Sequence, residues 1–228
     1  MRVFVTGCAG FIGSHTVEAL LARGDSVFGV DNFDPYYARS IKERNIKSFI
    51  NHERFTFVEA DIRDSKTADL LLDWRPEVLV HLAARAGVRA SLQDPITCVE
   101  VNEVGTVKLL GALKEAGVSH WVFASSSSVY GERPYGPFKE SDPVDHPISP
   151  YAATKKAGEL LAHTFYHAFG ITVNCLRFFT AYGPRQRPEM AIHAFASAIL
   201  EERPLLIFGD GSARRDFTYI EDIVDGVL

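Results

Sequence analysis

Gly7, Gly10 and Gly13 follow the strand-like run Arg2-Val-Phe-Val-Thr6 and open a helical pattern. At a first strand-to-helix junction each glycine has a use. Gly7 can make the tight turn, Gly10 lets the backbone approach a pyrophosphate, and Gly13 lets helix and strand pack closely. The helix N-terminus, with Phe11 and Ile12, then faces the phosphates. The spacing alone also fits a turn with a helix-packing glycine; its position favours a dinucleotide cradle. Asp31 strengthens that reading, because it ends the second strand eighteen residues after Gly13. A carboxylate there can accept from both ribose hydroxyls and repels a 2′-phosphate, which favours NAD over NADP. Asp31 and Asn32 also fit a turn within Asp31-Asn-Phe-Asp-Pro35.

Short β-branched or apolar runs alternate with helical periodicity along the chain. Strands are expected near 2–6, 26–30, 56–58, 78–82, 121–124 and 172–176, and helices near 14–23, 65–72, 96–116 and 151–169. Gly24, Gly117 and Gly170 each follow a helix, where a left-handed cap is wanted. This alternation predicts an α/β fold, a doubly wound parallel sheet (Rossmann fold) covered by helices on both faces. Residues 1–177 form that domain, with 214–228 returning to it, and 132–150 read as a loop over the site. From 178 the texture changes: a turn-rich basic loop, a helix near 191–202, a strand at 205–208 and a glycine loop. Residues 178–213 are therefore the start of a smaller substrate-binding lobe.

The chain has 228 residues, 46% hydrophobic, with a formal charge of -5. It lacks the basic footprint of a nucleic-acid binder and any apolar run long enough for a membrane span. The N-terminus enters a strand at once, leaving no room for a signal peptide. Cys8, Cys98 and Cys175 are an odd, sparse set, which favours a reducing cytoplasm over a disulfide framework. His163 and His167 lie four apart on a helix; with no third ligand nearby they read as an ordinary helix face, and no metal is expected.

Tyr151 and Lys155 lie one turn apart on one helix face. A phenol with a pKa of about 10 is a poor base, but a nearby ammonium and the positive nicotinamide ring favour the phenolate. The serines at 125–128 end the fifth strand, where a hydroxyl can bridge Tyr151 and a reacting alcohol. Asp61 and Ile62, after strand three, can flank an adenine or cap a helix. Leu82, Ala83 and Ala84, after strand four, suit a cofactor crossing the sheet ends or simple close packing. Asn102, unusual in mid-helix, bridges its helix to the strand ends or faces solvent.

Several segments together resemble the extended short-chain dehydrogenase/reductases, and within them the NAD-dependent nucleotide-sugar epimerases. They are Asp31-Asn-Phe-Asp-Pro-Tyr-Tyr37, His81-Leu-Ala-Ala-Arg-Ala-Gly-Val-Arg89, Ser125-Ser-Ser-Ser-Val-Tyr-Gly131, Asp145-His-Pro147 with Tyr151-Ala-Ala-Thr-Lys-Lys156, Arg177-Phe-Phe-Thr-Ala-Tyr-Gly-Pro184 with Arg187-Pro-Glu-Met-Ala191, and Arg215-Asp-Phe-Thr-Tyr-Ile220. The serine run and Arg187-Pro-Glu-Met-Ala191 place it nearest the branch acting on UDP-glucuronate.

The resemblance implies Tyr151 as base, Lys155 as its tuner and nicotinamide-ribose ligand, and Ser126 as hydroxyl partner. It places Phe178 at the NAD and Arg89, Ser127, Ser128, Thr180, Arg187 and Arg215 at a UDP-sugar substrate. The implied reaction is C4 epimerisation of UDP-glucuronate to UDP-galacturonate through a 4-keto sugar. Related dehydratases and decarboxylases carry acids at 127–128; two serines can hold a carboxylate without promoting its loss. Arg85 stands where Gln is common, a change to the substrate lobe or to the charge near the nucleotide, and Glu189 where Asp is common. Neutral UDP-glucose/UDP-galactose epimerisation and a non-catalytic NAD-binding module are the alternatives. A homodimer through helices 96–116 and 151–169 is implied, with Val99, Val107, Leu110, Leu161 and Phe165 available to it. Family size leads one to expect roughly a hundred further residues completing the substrate lobe.

Overall fold

The computed structural model describes residues 1–132, 136–207 and 209–228. Six parallel strands form one sheet: β1 (Arg2–Thr6), β2 (Ser26–Asp31), β3 (Phe55–Glu59), β4 (Val78–His81), β5 (His120–Ser126) and β6 (Thr172–Phe178). Their spatial order is β3-β2-β1-β4-β5-β6, so the winding reverses between β1 and β4. A crevice opens at the carboxyl ends of the strands at such a reversal, and ligands of doubly wound sheets bind there.

Helices α1 (Phe11–Ala22), α2 (Arg39–Ile46), α3 (Ser65–Trp74), α4 (Val88–Gln93), α5 (Pro95–Val99), α6 (Thr106–Glu115) and α7 (Pro150–Phe169) cover the sheet. Alternation along the strands builds two cores. Phe4, Phe28, Leu79, Trp121 and Phe123 pack with Leu71 of α3 and Leu109, Leu110 and Leu113 of α6. Val3, Val5, Val27 and Val80 face the other way, toward Val17 and Leu20 of α1 and Ile46 of α2. With both faces buried, the strands read as nearly continuous apolar runs.

The expected helix over 96–116 is α5 and α6 joined by a π-helical segment, Glu100–Gly105. Helices α2 and α4 were not legible. Arg39-Ser-Ile-Lys-Glu-Arg-Asn-Ile46 has no apolar stripe, and the residues α2 buries include Lys42 and Asn45. Polar contacts seat this helix, so its periodicity carried no signal.

Beyond β6, short strands β7 (Thr180–Tyr182) and β8 (Phe217–Tyr219) pair in parallel, with α8 (Ala191–Leu200) between them and α9 (Ile220–Val227) after them. Ile220, Ile223 and Val224 of α9 pack with Phe11 of α1 and Ala181. The expected strand at 205–208 is corrected: 205–207 form no strand, and Phe208 lies outside the described residues. Leu205, Leu206 and Ile207 are exposed and, among the described residues, have no ladder partner, without which apolar β-formers do not make a strand. In the expected loop over the site, Arg133, Pro134 and Tyr135 also lie outside the described residues.

Helix α7 is the best-delimited element. Ser149 Oγ accepts from Ala152 N–H, Pro150 occupies the first turn, and Gly170 closes the helix at φ +70°. It approaches β5 at Gly158, where an added Cβ would lie 2.2 Å from the Phe123 ring. In an exposed helix Gly→Ala stabilises by about 1 kcal/mol. Here overpacking, at about 1–3 kcal/mol, outweighs it. Gly158→Ala should therefore lower the urea midpoint; a raised midpoint would mean that α7 does not rest on Phe123.

Candidate active site

A cavity of about 390 Å³ opens at the reversal of the sheet. Gly7, Gly10, Phe11, Ile12, Gly13, Asp31, Asn32, Asp61, Ile62, Leu82, Ala83, Ala84, Ser126, Tyr151, Lys155 and Phe178 all line it. The sequence reading named each of these.

At one end, Gly7 has φ +72°, and a Cβ there would lie 2.8 Å from Ala83 N. A Cβ at Gly13 would lie 2.0 Å from Gly7 O. Only glycine fits this turn, which leaves bare backbone at the mouth of α1. The Asp31 carboxylate accepts from Ala9 N–H (3.1 Å), Phe33 N–H (2.9 Å) and Lys42 Nζ (3.1 Å). Asp61 accepts from Asn32 Nδ2 and, through both oxygens, from Arg63. Burial works to raise the Asp61 carboxyl, but the bonds from Arg63 and Asn32 outweigh it and hold it at about 2.

At the chemical end, α7 presents Tyr151, Lys155 and Glu159 at intervals of four along one face. Burial pushes the Tyr151 phenol up, and the Ser126 hydroxyl and then the Arg187 charge pull it back. Lys155 Nζ donates to Ala124 O at 2.6 Å and sits 5.8 Å from the Tyr151 ring centre. Burial depresses its pKa to about 8. Ser126 Oγ donates to Ser128 Oγ at 3.1 Å. Beneath them, Arg177 donates to both Glu159 oxygens at 2.9 Å, and Ser125 Oγ donates to Glu159 at 2.6 Å. This partly buried pair joins α7 to the ends of β5 and β6.

Ser127, Ser128, Thr180 and Arg187 complete the wall. Arg187 pairs with Glu189 at 3.1 Å and lies 5.8 Å from the Tyr36 ring centre. Arg85, another wall residue, lies 4.6 Å from the same ring and pairs with Asp34. Tyr36, Tyr37 and Lys42 also line the cavity and had no sequence-derived role. The aromatic pair stood inside the quoted 31–37 segment; Lys42 sat in a helix with no apolar period.

Three expected site residues lie off the cavity wall. Asn102 is buried behind it: Oδ1 accepts from Arg85 N–H at 2.7 Å, and Nδ2 donates to Thr154 Oγ1 at 3.0 Å. It bridges its helix to the loop after β4, as one sequence reading held, and touches the site through Arg85. Arg89 is exposed on α4. Arg215 is exposed, and its guanidinium donates to Arg214 O.

A profile of the NAD dependent epimerase/dehydratase family matches residues 3–228. The chain belongs to this family. A UDP-glucuronate 4-epimerase from Thermodesulfobacterium geofontis (strain OPF15) is 46% identical over 226 residues, covering 98% of this chain and 69% of that protein. The crystal structure of UDP-glucuronic acid 4-epimerase from Bacillus cereus, in complex with UDP-glucuronic acid and NAD, superposes with a TM-score of 0.92 at 43% identity. It covers 99% of this chain and 71% of that one. UDP-glucose 4-epimerase from Thermotoga maritima, with UDP-glucose, gives 0.90 at 33%, covering 100% and 72%.

Lys155 ties this site to stability. Its pKa of about 8 lies below the ordinary 10.5, so burying the charged ammonium costs on the order of 3 kcal/mol. The native state holds fewer protons than the unfolded chain between these values, so stability from this group rises with pH from about 8 to 10.5. Lys155→Met should match or exceed the parent melting temperature at pH 7 and lose this alkaline gain. A Met variant less stable at pH 7 would show that the Ala124 hydrogen bond outweighs desolvation.

Proposed function

We propose that this chain catalyses NAD-dependent C4 epimerisation of UDP-glucuronate to UDP-galacturonate. The observation that carries the reading is one cavity joining the Tyr151–Ser126–Lys155 group to Ser127, Ser128, Thr180 and Arg187. The cofactor fits the residues present: the cradle at Gly7 and Gly13 has no room for a Cβ, and Asp31 ends β2 in the cavity wall.

Tyr151 accepts the proton of the sugar 4-hydroxyl, with Ser126 bridging the two oxygens. Lys155 favours the phenolate electrostatically. NAD+ would supply an acceptor for the C4 hydride and the same hydride back; between the two transfers the 4-keto sugar turns, so that its other face receives the hydride. Tyr151 then gives the proton back to the new alkoxide. Ser127, Ser128 and Thr180 offer neutral hydrogen bonds, and the Arg187 guanidinium can grip a C6 carboxylate through both its oxygens. With serines at 127 and 128, these two positions offer no carboxyl group for the proton transfer of an elimination.

A second reading, a neutral UDP-glucose/UDP-galactose epimerase, draws support from the Arg187–Glu189 pair. A neutral sugar would leave that pair intact. Arg187→Gln should cut kcat/KM for UDP-glucuronate by about a hundredfold and spare UDP-glucose. The reverse pattern would favour the neutral sugar.

We assign 1–177 to the NAD domain, with 214–228 returning to it, and 178–213 to the substrate lobe. The packing of α9 on α1 supports this division. Of the apolar residues expected at a homodimer contact, Leu110 is buried in the core and Leu161 and Phe165 pack against it, because the sheet side of these helices claims them. Val99 and Val107 are exposed, with Ile96, Leu160 and Tyr166, and support a homodimer through α5–α6 and α7. The free, widely spaced cysteines support a cytoplasmic setting. Among the described residues no helix is long and apolar enough to cross a membrane.

Tyr151→Phe should lower turnover by on the order of a hundredfold or more while NAD still binds. Near-parent turnover would mean that another group is the base. Replacing both Ser127 and Ser128 with Ala frees the carboxylate of the 4-keto sugar to align for cleavage, which the adjacent ketone assists. The share of UDP-pentose among products should rise. An unchanged ratio would remove these serines from carboxylate protection.

A further inference from the structure

Asp31 does not stand alone in the wall. A carboxylate accepts about four hydrogen bonds. Among the described residues, Ala9 N–H, Phe33 N–H and Lys42 Nζ already take three of them. A vicinal diol cannot donate both its hydroxyls to what remains. Lys42 Nζ has further N–H donors, and both side chains are nearly enclosed, at 9% and 4% exposure. Lys42 also lines the cavity itself.

Helix α2 brings Lys42 there. Three residues on, Asn45 Nδ2 donates to Ala9 O at 3.0 Å, so one helix face grips both the glycine loop and Asp31. The Lys42 ammonium lies 5.3 Å from the centre of the Tyr37 ring, another wall residue. A buried cation is costly unless paired; Asp31 pairs it and occupies its approach.

We propose that Lys42 is a second cofactor-selecting residue. One ribose hydroxyl donates to Asp31 while the other accepts from Lys42. The same ammonium is a latent 2′-phosphate ligand that Asp31 keeps neutralised. The inference rests on reading this cavity as an NAD site. Asp31 excludes NADP by holding Lys42 as well as by its own charge. Removing the carboxylate leaves a buried cation facing the position of a 2′-phosphate, where charge-assisted bonds are strong.

Calorimetric titration of the whole chain with NAD+ and NADP+ tests this without turnover. The proteins are the parent, Lys42→Met, Lys42→Gln, Asp31→Ser and Asp31→Ser with Lys42→Gln, each checked by a melting curve. The parent should prefer NAD+. Lys42→Met and Lys42→Gln should weaken NAD+ by about tenfold and leave NADP+ weak. Asp31→Ser should tighten NADP+ by about tenfold or more over the parent, and the double variant should lose that gain. If Lys42→Met does not fold, Lys42→Gln keeps the stem and a donor, and carries the comparison. The inference is overturned if folded Lys42 variants bind NAD+ within about twofold of the parent. It is equally overturned if the double variant keeps the NADP+ gain. A parent that binds neither nucleotide would instead overturn the NAD-site reading itself.

Discussion

The close seat of α7 on β5 sets the site. At Gly158 helix and strand meet with no side chain between the helix backbone and Phe123. This brings three consecutive turns of one face onto the ends of β5 and β6. Tyr151 reaches the cavity, Lys155 reaches the Ala124 carbonyl, and Glu159 reaches Arg177 and Ser125. Each contact is polar and at least partly buried, so none could be left half-made without a desolvation cost. Moving the helix by a fraction of a turn would break all three. Tyr151, the proposed base, and Lys155 are therefore placed beside the Ser126 hydroxyl by packing two turns along the helix, which is how a site holds reactive geometry.

The opposite side of the crevice is organised by a buried histidine. His81 Nδ1 lies 2.7 Å from Thr6 Oγ1, and Nε2 lies 2.9 Å from Thr106 Oγ1. Thr106 donates to Asn102 O, and Ala83 N–H donates to Thr6 Oγ1. That direction makes Nε2 the protonated nitrogen and leaves the ring neutral. Burial, then the Lys155 charge, holds its pKa down at about 3. The chain ties β1, β4 and the π-helical segment to Ala83, against which Gly7 turns. Asn102 completes it by holding Arg85. At the sugar end, Arg85 and Arg187 each carry a carboxylate partner and share Tyr36. Both cations are compensated, so on the proposed reading a substrate carboxylate would have to compete with Glu189 for Arg187.

The parts legible in the sequence are those where one residue type answers several demands at once. β1 was read at its observed bounds, and Gly7 and Gly13 line the cavity because turn and helix packing there leave no room for a Cβ; Asp31 lines it because it ends β2. Tyr151 and Lys155 were legible because helix spacing alone puts them together. Lys42 was not, since α2 is seated by polar contacts and no hydrophobic period announces it. The run at 205–207 misled for the opposite reason: apolar β-formers read as a strand, but among the described residues no neighbour supplies a ladder. Asn102 was noticed through its low helix propensity, yet only the fold shows that it works through Arg85. Arg89 and Arg215 carried expectation by resemblance, and their side chains lie outside the cavity wall.

Oxidation and return of one hydride within one site is the chemistry proposed for these residues. UDP-glucuronate labelled with deuterium at C4, incubated with the protein and NAD+, tests it directly. The deuterium should stay at C4 of the UDP-galacturonate formed, with no label in the solvent and no net NADH. Loss of the label to water, or epimerisation that proceeds without NAD+, would contradict it.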